Sequence, residues 1–128
     1  YLVYGSDESG RREVYVRSFS DGRGRWQIST EGGHQALWGP DGQEIFYVSR
    51  EESALMRVPL SMESGFSPGS PEKLFSHASF RTAFRRSPDY DVDRDGSRFV
   101  LIEEVEAERQ DRSMHIVENW YEEFRDRE

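Results

Sequence analysis

Short apolar runs separated by polar turns make up most of the chain, and they predict strands. In the runs 45–48 and 99–102 the apolar residues are consecutive instead of alternating, so side chains point to both faces of each strand. Strands that are apolar on both faces are typical of a sheet that is covered on both sides. The aromatic content of 13% also favours strands. Only the stretch 120–126 suggests a helix, one or two turns long, with Trp120, Tyr121 and Phe124 on one stripe.

One unit recurs along the chain: an aromatic residue, a turn that ends in Asp-Gly, and an apolar strand. The copies at 38–48 and 90–102 have their Asp-Gly pairs 54 residues apart, at Asp41 and Asp95. A truncated copy opens the chain, because residues 2–6 match residues 45–49 at an offset of 43. Further strands follow these copies at 14–17, 55–58 and 115–117, and closing strands at 25–29 and 72–75.

The physics of this unit points to one architecture. Asp-Gly accepts the positive φ that a tight turn between antiparallel strands needs. Four short strands recurring at roughly 40–50 residues are the signature of a β-propeller. We therefore predict an all-β fold, a partial β-propeller of about three blades, each blade a four-stranded antiparallel sheet. The approximate blades are 1–36, 37–88 and 89–121, followed by a tail at 122–128.

The repeat resembles that of the TolB-like, WD40-like (PD40) propeller family. Trp38-Gly39-Pro40-Asp41-Gly42 is similar to its tryptophan, serine, proline, aspartate, glycine motif, with Gly39 in place of serine. The stretch 90–96 looks like a degenerate copy, with Arg94 where proline is common. Members include periplasmic TolB-like proteins, sensor domains of bacterial serine/threonine kinases and propellers partnered with peptidases. The resemblance implies a periplasmic or extracellular location.

From this resemblance we expect a non-catalytic module that binds a protein or peptide or acts as a scaffold, not an enzyme, with no cofactor. The alternative is the propeller portion of a larger peptidase or serine/threonine kinase, which would gate or sense substrate. The chain starts in mid-strand without Met, so we expect a fragment or processed product of a longer protein. Three blades leave strand edges and blade faces open, so two copies are expected to associate and complete the ring.

Composition removes several classes of function. The net charge of −8 repels phosphate backbones, so no nucleic acid partner is expected. There is no cysteine, which excludes disulfides and thiolate metal sites. No run of 18 apolar residues occurs, so membrane insertion is not expected.

Two sets of residues are candidates for a metal site. Asp91, Asp93 and Asp95 with Gly96 fit the first half of a calcium loop, but the twelfth position is Ile102 instead of glutamate. The alternative is a propeller turn made by Asp95 and Gly96, and we favour it. The three histidines, His34, His77 and His115, lack the spacing of a zinc site, and His34 is expected in a loop or at a blade edge.

The remaining candidates are weaker. Gly65, Ser67 and Gly69 stand at the positions of a nucleophile elbow, but Pro68 removes the N–H that an oxyanion hole needs. One basic and aromatic cluster would either bind an acidic partner or pack its rings onto the core, and we favour packing. Its members are Phe80, Arg81, Phe84, Arg85 and Arg86. Trp26, Trp38 and Trp120 are expected to pack in the core. No catalytic, cofactor or metal residue is nominated.

Overall fold

A computed structural model describes residues 1–20, 22–81 and 89–103, together with the backbone of a strand at 114–118. The elements are strands apart from one 3₁₀ turn, Ala78–Arg81. In chain order they are β1 (Leu2–Ser6), β2 (Glu13–Arg17), β3 (Arg25–Gln27), β4 (Gly33–Trp38), β5 (Glu44–Ser49), β6 (Ala54–Ser61), β7 (Ser67–Pro68), β8 (Glu72–Ser76), β9 (Tyr90–Val92), β10 (Arg98–Ile102) and β11 (Met114–Glu118).

The strands form three antiparallel sheets. The first sheet has the order β1-β2-β3, and the third has the order β11-β10-β9. In the second sheet, β4 pairs with β5, and β5 pairs with β6. β8 pairs with the first half of β6, and the short β7 pairs with its last two residues. Apart from the short β7, successive strands within each sheet are neighbours in space, which is the up-and-down order of a propeller blade.

The second sheet lies between the other two, and the alternation of side chains along β5 shows why. Ile45 and Tyr47 pack against Val14 and Val16 of the first sheet. Phe46 and Val48 point the other way, and Phe46 meets Phe99 of the third sheet edge to face at 5.1 Å between ring centroids. Two apolar cores thus flank one sheet, as the consecutive apolar residues predicted.

Both predicted Asp-Gly turns are confirmed. Gly42 has a φ of 71° and Gly96 a φ of 76°, in the left-handed region that glycine enters without steric cost. The Gly42 N–H donates to the Gly39 carbonyl at 3.0 Å, and the Gly96 N–H donates to the Asp93 carbonyl at 3.2 Å. The two turns join β4 to β5 and β9 to β10, so they are equivalent positions in successive sheets.

One irregularity ties the second sheet to the third. Gln35 has a φ of 53°, and the pairing of β4 with β5 shifts between His34 and Leu37. The Gln35 side-chain amide donates to Asp89 at 3.1 Å, while the Tyr90 hydroxyl donates to the Gln35 carbonyl at 2.8 Å. These bonds hold the bulge of β4 against the start of β9.

The blade boundary drawn from the sequence at residue 36 falls inside β4, which begins at Gly33 and belongs wholly to the second sheet. The bulge at Gln35 breaks the alternation of β4, and this obscures the start of the strand in the sequence.

The suggested helix at 120–126 lies outside the described residues. Within the described residues, no helix has the length and apolar character needed to cross a membrane.

Candidate functional site

Three connections meet at one edge of the first and second sheets, and they form the candidate site. Because the strands are antiparallel, the β1–β2 turn, the β3–β4 link and the β5–β6 turn all lie at this edge. The Gly33 N–H donates to the Arg12 carbonyl at 3.0 Å, and the Arg50 N–H donates to the Gly32 carbonyl at 3.1 Å. Backbone hydrogen bonds therefore hold the three connections side by side.

Between these connections lies an arginine-lined groove of about 490 Å³. This volume falls in the range that small-molecule sites occupy. The β1–β2 turn contributes two arginines and the β5–β6 turn one, while the β3–β4 link contributes a glutamate and a glycine, and a second glutamate lies on the β5–β6 turn. The lining residues are Arg11, Arg12, Glu31, Gly32, Arg50 and Glu51.

A buried carboxylate supports the floor of the arginine-lined groove. Glu13 is 1% exposed, and its oxygens accept the Ser29 hydroxyl at 2.5 Å and the Gly32 N–H at 3.0 and 3.1 Å. Ser29 is also fully buried, and its hydroxyl oxygen accepts the Val14 N–H at 2.8 Å. A buried charge is tolerated only when its hydrogen bonds are satisfied, and these bonds satisfy it.

Arg11 completes that network. Its Nε donates to Glu13 at 2.6 Å, and its guanidinium also reaches Glu31 at 3.4 Å. The hydrogen bond to Glu13 raises the pKa of Arg11, which favours the charged form of this guanidinium. The charge of Arg11 is balanced within the protein, and its role at the groove is to join the two connections.

Arg12 differs from its neighbour. It is exposed, and it forms no ion pair with any described residue. Its guanidinium lies beside the backbone of Gly5 in β1, where a methyl group added to Gly5 would stand 3.2 Å from Nη2. Arg12 therefore presents an uncompensated positive charge at the groove.

The aspartates of the suggested calcium loop are engaged with the turn itself. Asp93 Oδ1 accepts the N–H groups of Ser97 at 2.9 Å and Arg98 at 3.2 Å, and Asp95 Oδ1 also accepts the Ser97 N–H at 2.9 Å. The bonds to Ser97 lower the pKa of Asp95. Asp91 accepts only the N–H of the next residue, Val92. In the described part of the chain, no three His, Asp or Glu side chains converge as they would around a metal ion.

The histidines are placed differently from one another. His34 pairs with Val48 in β4, the edge strand of the second sheet, so of the two expected positions the blade edge is confirmed and the loop is wrong. The bulge next to it had hidden the strand. The Nδ1 atom of His77 lies 3.1 Å from the Ser79 hydroxyl, in the link to the third sheet. His115 lies in β11, where only the backbone is described.

The basic and aromatic cluster is only partly described. Phe80 is 2% exposed and packs beside Phe75 and Tyr90, as expected for a ring that covers the core. Arg81 is exposed, and Phe84, Arg85, Arg86 and Trp120 lie outside the described residues. Trp26 and Trp38 are half-buried and both contact the Phe66 ring, with centroid distances of 4.7 and 6.4 Å. Ser67 and Pro68 form the short β7, so this stretch is not a strand-to-helix elbow.

The sequence did not predict the arginine-lined groove, because its residues come from three separate connections. The sequence signal is faint: Arg11-Arg12 stands directly before a strand, Gly32 directly before another, and Arg50 directly after a third. Only the superposition of the repeats would have brought these positions together.

Comparison with known proteins identifies the fold. No family model and no curated protein matches the chain. Among solved structures, the chain is similar to an oligogalacturonate lyase from Vibrio parahaemolyticus, with a TM-score of 0.54 and 17% identity over 79% of this chain. The match spans 25% of the lyase chain. That lyase is a β-propeller enzyme, so the all-β partial propeller predicted from the repeats is confirmed.

The same comparison overturns the expected function. From the family resemblance, and because no catalytic residue could be nominated in the sequence, we expected a non-catalytic binding or scaffold module and not an enzyme. A protein of known structure that has this fold is an enzyme, a lyase, and it shares 17% sequence identity with the chain. The inference from a missing motif to a missing activity is therefore wrong. Propeller enzymes can collect their site residues from loops of different blades, and such residues leave no contiguous motif.

Proposed function

We propose that this chain forms part of a β-propeller enzyme that acts on an acidic oligosaccharide, and that the arginine-lined groove binds the sugar carboxylates. The observation that carries this proposal is the groove itself. Three arginines, Arg11, Arg12 and Arg50, stand around one cavity of about 490 Å³ on a chain whose net charge is −8. These arginines place positive charge at one cleft of an acidic protein, with Glu31 and Glu51 also on its rim, and an anionic ligand would pair with the arginines.

The chemistry of arginine supports a carboxylate ligand. A planar guanidinium donates two parallel N–H bonds to a carboxylate, which gives both direction and strength. A uronic acid carries one carboxylate on each ring, and an oligogalacturonate lyase acts on a chain of such rings. The likeness in fold and the basic groove support the same class of substrate by separate routes.

The proposal gives the described residues a role in holding substrate. Arg12 and Arg50 flank the cavity, while Glu13 and Arg11 hold its walls together. The bond-breaking step is not assigned to any of these residues. We also propose that the repeats are of the TolB-like, WD40-like kind, because the turns at 39–42 and 93–96 fit such repeats.

Association of two copies stays a prediction. Leu2 and Ile102 are 52% and 56% exposed, on the outer faces of the first and third sheets. Neighbouring blades or a second copy would cover such faces. A mass measured by light scattering at micromolar concentration tests this, since a well-behaved monomer would contradict it.

Calorimetric titration with trigalacturonate tests the proposed function. We expect binding that weakens with added salt, because the contact is between charges. Galactotriose is the matched control, since it has the same ring hydroxyls without carboxylates, and we expect it not to bind.

Activity is measured on the protein with its complete propeller. A lyase cleaves by elimination and leaves a carbon–carbon double bond, so product formation is followed by ultraviolet absorbance. Equal binding of the acidic and the neutral trisaccharide, or no binding of either, contradicts the proposed function.

A further inference from the structure

One position in the first sheet departs from the repeat in a way that backbone conformation does not explain. Gly5 of β1 corresponds to Val48 of β5 at the offset of 43 that aligns Tyr4 with Tyr47. Val48 is fully buried between the second and third sheets. Gly5 has no left-handed φ, unlike the glycines of the turns, so its backbone would accept any residue. The atoms that a side chain at position 5 would meet are those of the Arg12 guanidinium.

Arg12 uses the space beside Gly5. A methyl group on Gly5 would lie 3.2 Å from Nη2 and 3.3 Å from Nε of Arg12, closer than ordinary van der Waals contact. Val3, two residues earlier on the same face of β1, packs against the core between the first and second sheets. The guanidinium of Arg12 therefore lies over β1 on the side that faces the second sheet, where the arginine-lined groove opens.

The two adjacent arginines divide their roles. Arg11 is committed to Glu13 and Glu31, whereas Arg12 forms no ion pair with the described residues. An anion that enters the groove would have to displace Glu13 or Glu31 to pair with Arg11, but it would displace no ion-pair partner among the described residues to pair with Arg12, although Glu31 and Glu51 lie on the same rim.

We infer that Arg12 binds the ligand carboxylate in the groove and that Gly5 is its positioning residue, since the absence of a side chain there lets the guanidinium lie against β1. This inference rests on the proposed function for the identity of the ligand, a uronic acid. The anion site itself follows from the geometry of Arg12 and Gly5.

Three substitutions test the inference by titration with galacturonate and trigalacturonate. Arg12→Gln removes the charge, and we expect trigalacturonate binding to weaken roughly tenfold or more, the range of a lost charge-assisted pair. Arg12→Lys keeps the charge without the two-pronged geometry of the guanidinium, and an intermediate loss of binding is expected.

Gly5→Val introduces the residue found at the matching position of the repeat and displaces the guanidinium of Arg12. It should therefore weaken binding although Arg12 is still present. Arg17→Gln is the control, because Arg17 is exposed at the opposite end of β2, where it donates to the Gly22 carbonyl.

Nitrogen-15 NMR of the arginine side chains gives a second readout that a merely structural role would not change. The Nε–H signal of Arg12 should shift on addition of galacturonate and should not shift with galactose. Far-ultraviolet circular dichroism of each variant shows whether the sheets are intact.

The outcomes separate the two claims. If the wild type binds trigalacturonate and Arg12→Gln binds equally well, the inference fails and the proposed function stands. If Arg12 responds to acetate as strongly as to trigalacturonate, the anion site stands and the proposed function fails. If the wild type binds no carboxylate at all, both are overturned.

Discussion

The carboxylate of Glu13 accepts the backbone N–H of Gly32 at 3.0 and 3.1 Å, and this contact joins the first two sheets at the edge where the candidate site lies. Gly32 has a φ of 86°, and its carbonyl accepts the Arg50 N–H at 3.1 Å. One glycine therefore connects the buried carboxylate of the first sheet to the β5–β6 turn of the second. The groove depends on this connection for its shape.

Replacing Glu13 by glutamine tests the connection. The amide keeps the size but loses the charge, so the bonds from Arg11, Ser29 and Gly32 weaken together. We expect the free energy of unfolding to fall by about 2 kcal/mol, the range for charge-assisted bonds at a buried site. Urea denaturation at neutral pH measures it. The exposed Glu63 is the matched control, and Glu63→Gln should change the free energy by less than about 0.5 kcal/mol. Equal effects of the two substitutions would refute the connection.

Phe99 tests the stacking of the second and third sheets. It is fully buried and meets both Phe46 and Phe75, with centroid distances of 5.1 and 5.8 Å. Phe99→Ala should lower the free energy of unfolding by about 3–5 kcal/mol, because it opens a cavity between two sheets. Phe19 is 84% exposed, so Phe19→Ala is the control and should have little effect. A mild effect of Phe99→Ala would mean that the two sheets do not share a core.

Gly42 tests the turn chemistry of the repeat. A methyl group there would meet no atom within 4 Å, so only the φ of 71° resists a side chain. Gly42→Ala should therefore cost about 1 kcal/mol. Asparagine tolerates a left-handed backbone better than alanine, so Gly42→Asn should cost less. Thermal unfolding of the two variants checks the order, and an alanine variant as stable as the asparagine variant would show that the turn is not left-handed.

Tyr47 predicts how stability depends on alkaline pH. Burial raises the pKa of its hydroxyl to about 12, above its ordinary value of 10.0. Burial also raises the pKa of Tyr90. A raised pKa means that the folded state holds the proton more tightly than the unfolded state. The stabilisation is complete below pH 10 and is lost as the pH rises from about 10 to 12.

Urea denaturation at pH 8 and at pH 11 measures this effect. The wild type should be clearly less stable at pH 11. Tyr47→Phe cannot ionise, so it should lose less of its stability between these two pH values than the wild type does. An identical loss in the two proteins would show that Tyr47 does not contribute.

The features that the sequence predicted depend on local chemistry. Ile45, Phe46, Tyr47 and Val48 are apolar in succession, and the structure covers both faces of β5 for that reason. The Asp-Gly pairs at residues 41–42 and 95–96 predicted turns because glycine alone enters the left-handed region freely, and both glycines do so.

The features that were missed depend on contacts distant in sequence. Gln35 adopts a left-handed φ because Asp89 and Tyr90, more than 50 residues later, hold it there. The groove brings Arg12 next to Gly5 and Gly32 next to Glu13 through sheet packing, and no local pattern encodes that proximity. A site built from several loops likewise leaves no contiguous motif in the sequence.

A crystal structure of the protein with trigalacturonate would show whether the arginine-lined groove binds the sugar. It should show a sugar carboxylate paired with the Arg12 guanidinium, in the groove between the first and second sheets, with Glu13 still bound to Gly32. A trisaccharide bound elsewhere, with the groove filled only by solvent, would contradict the account.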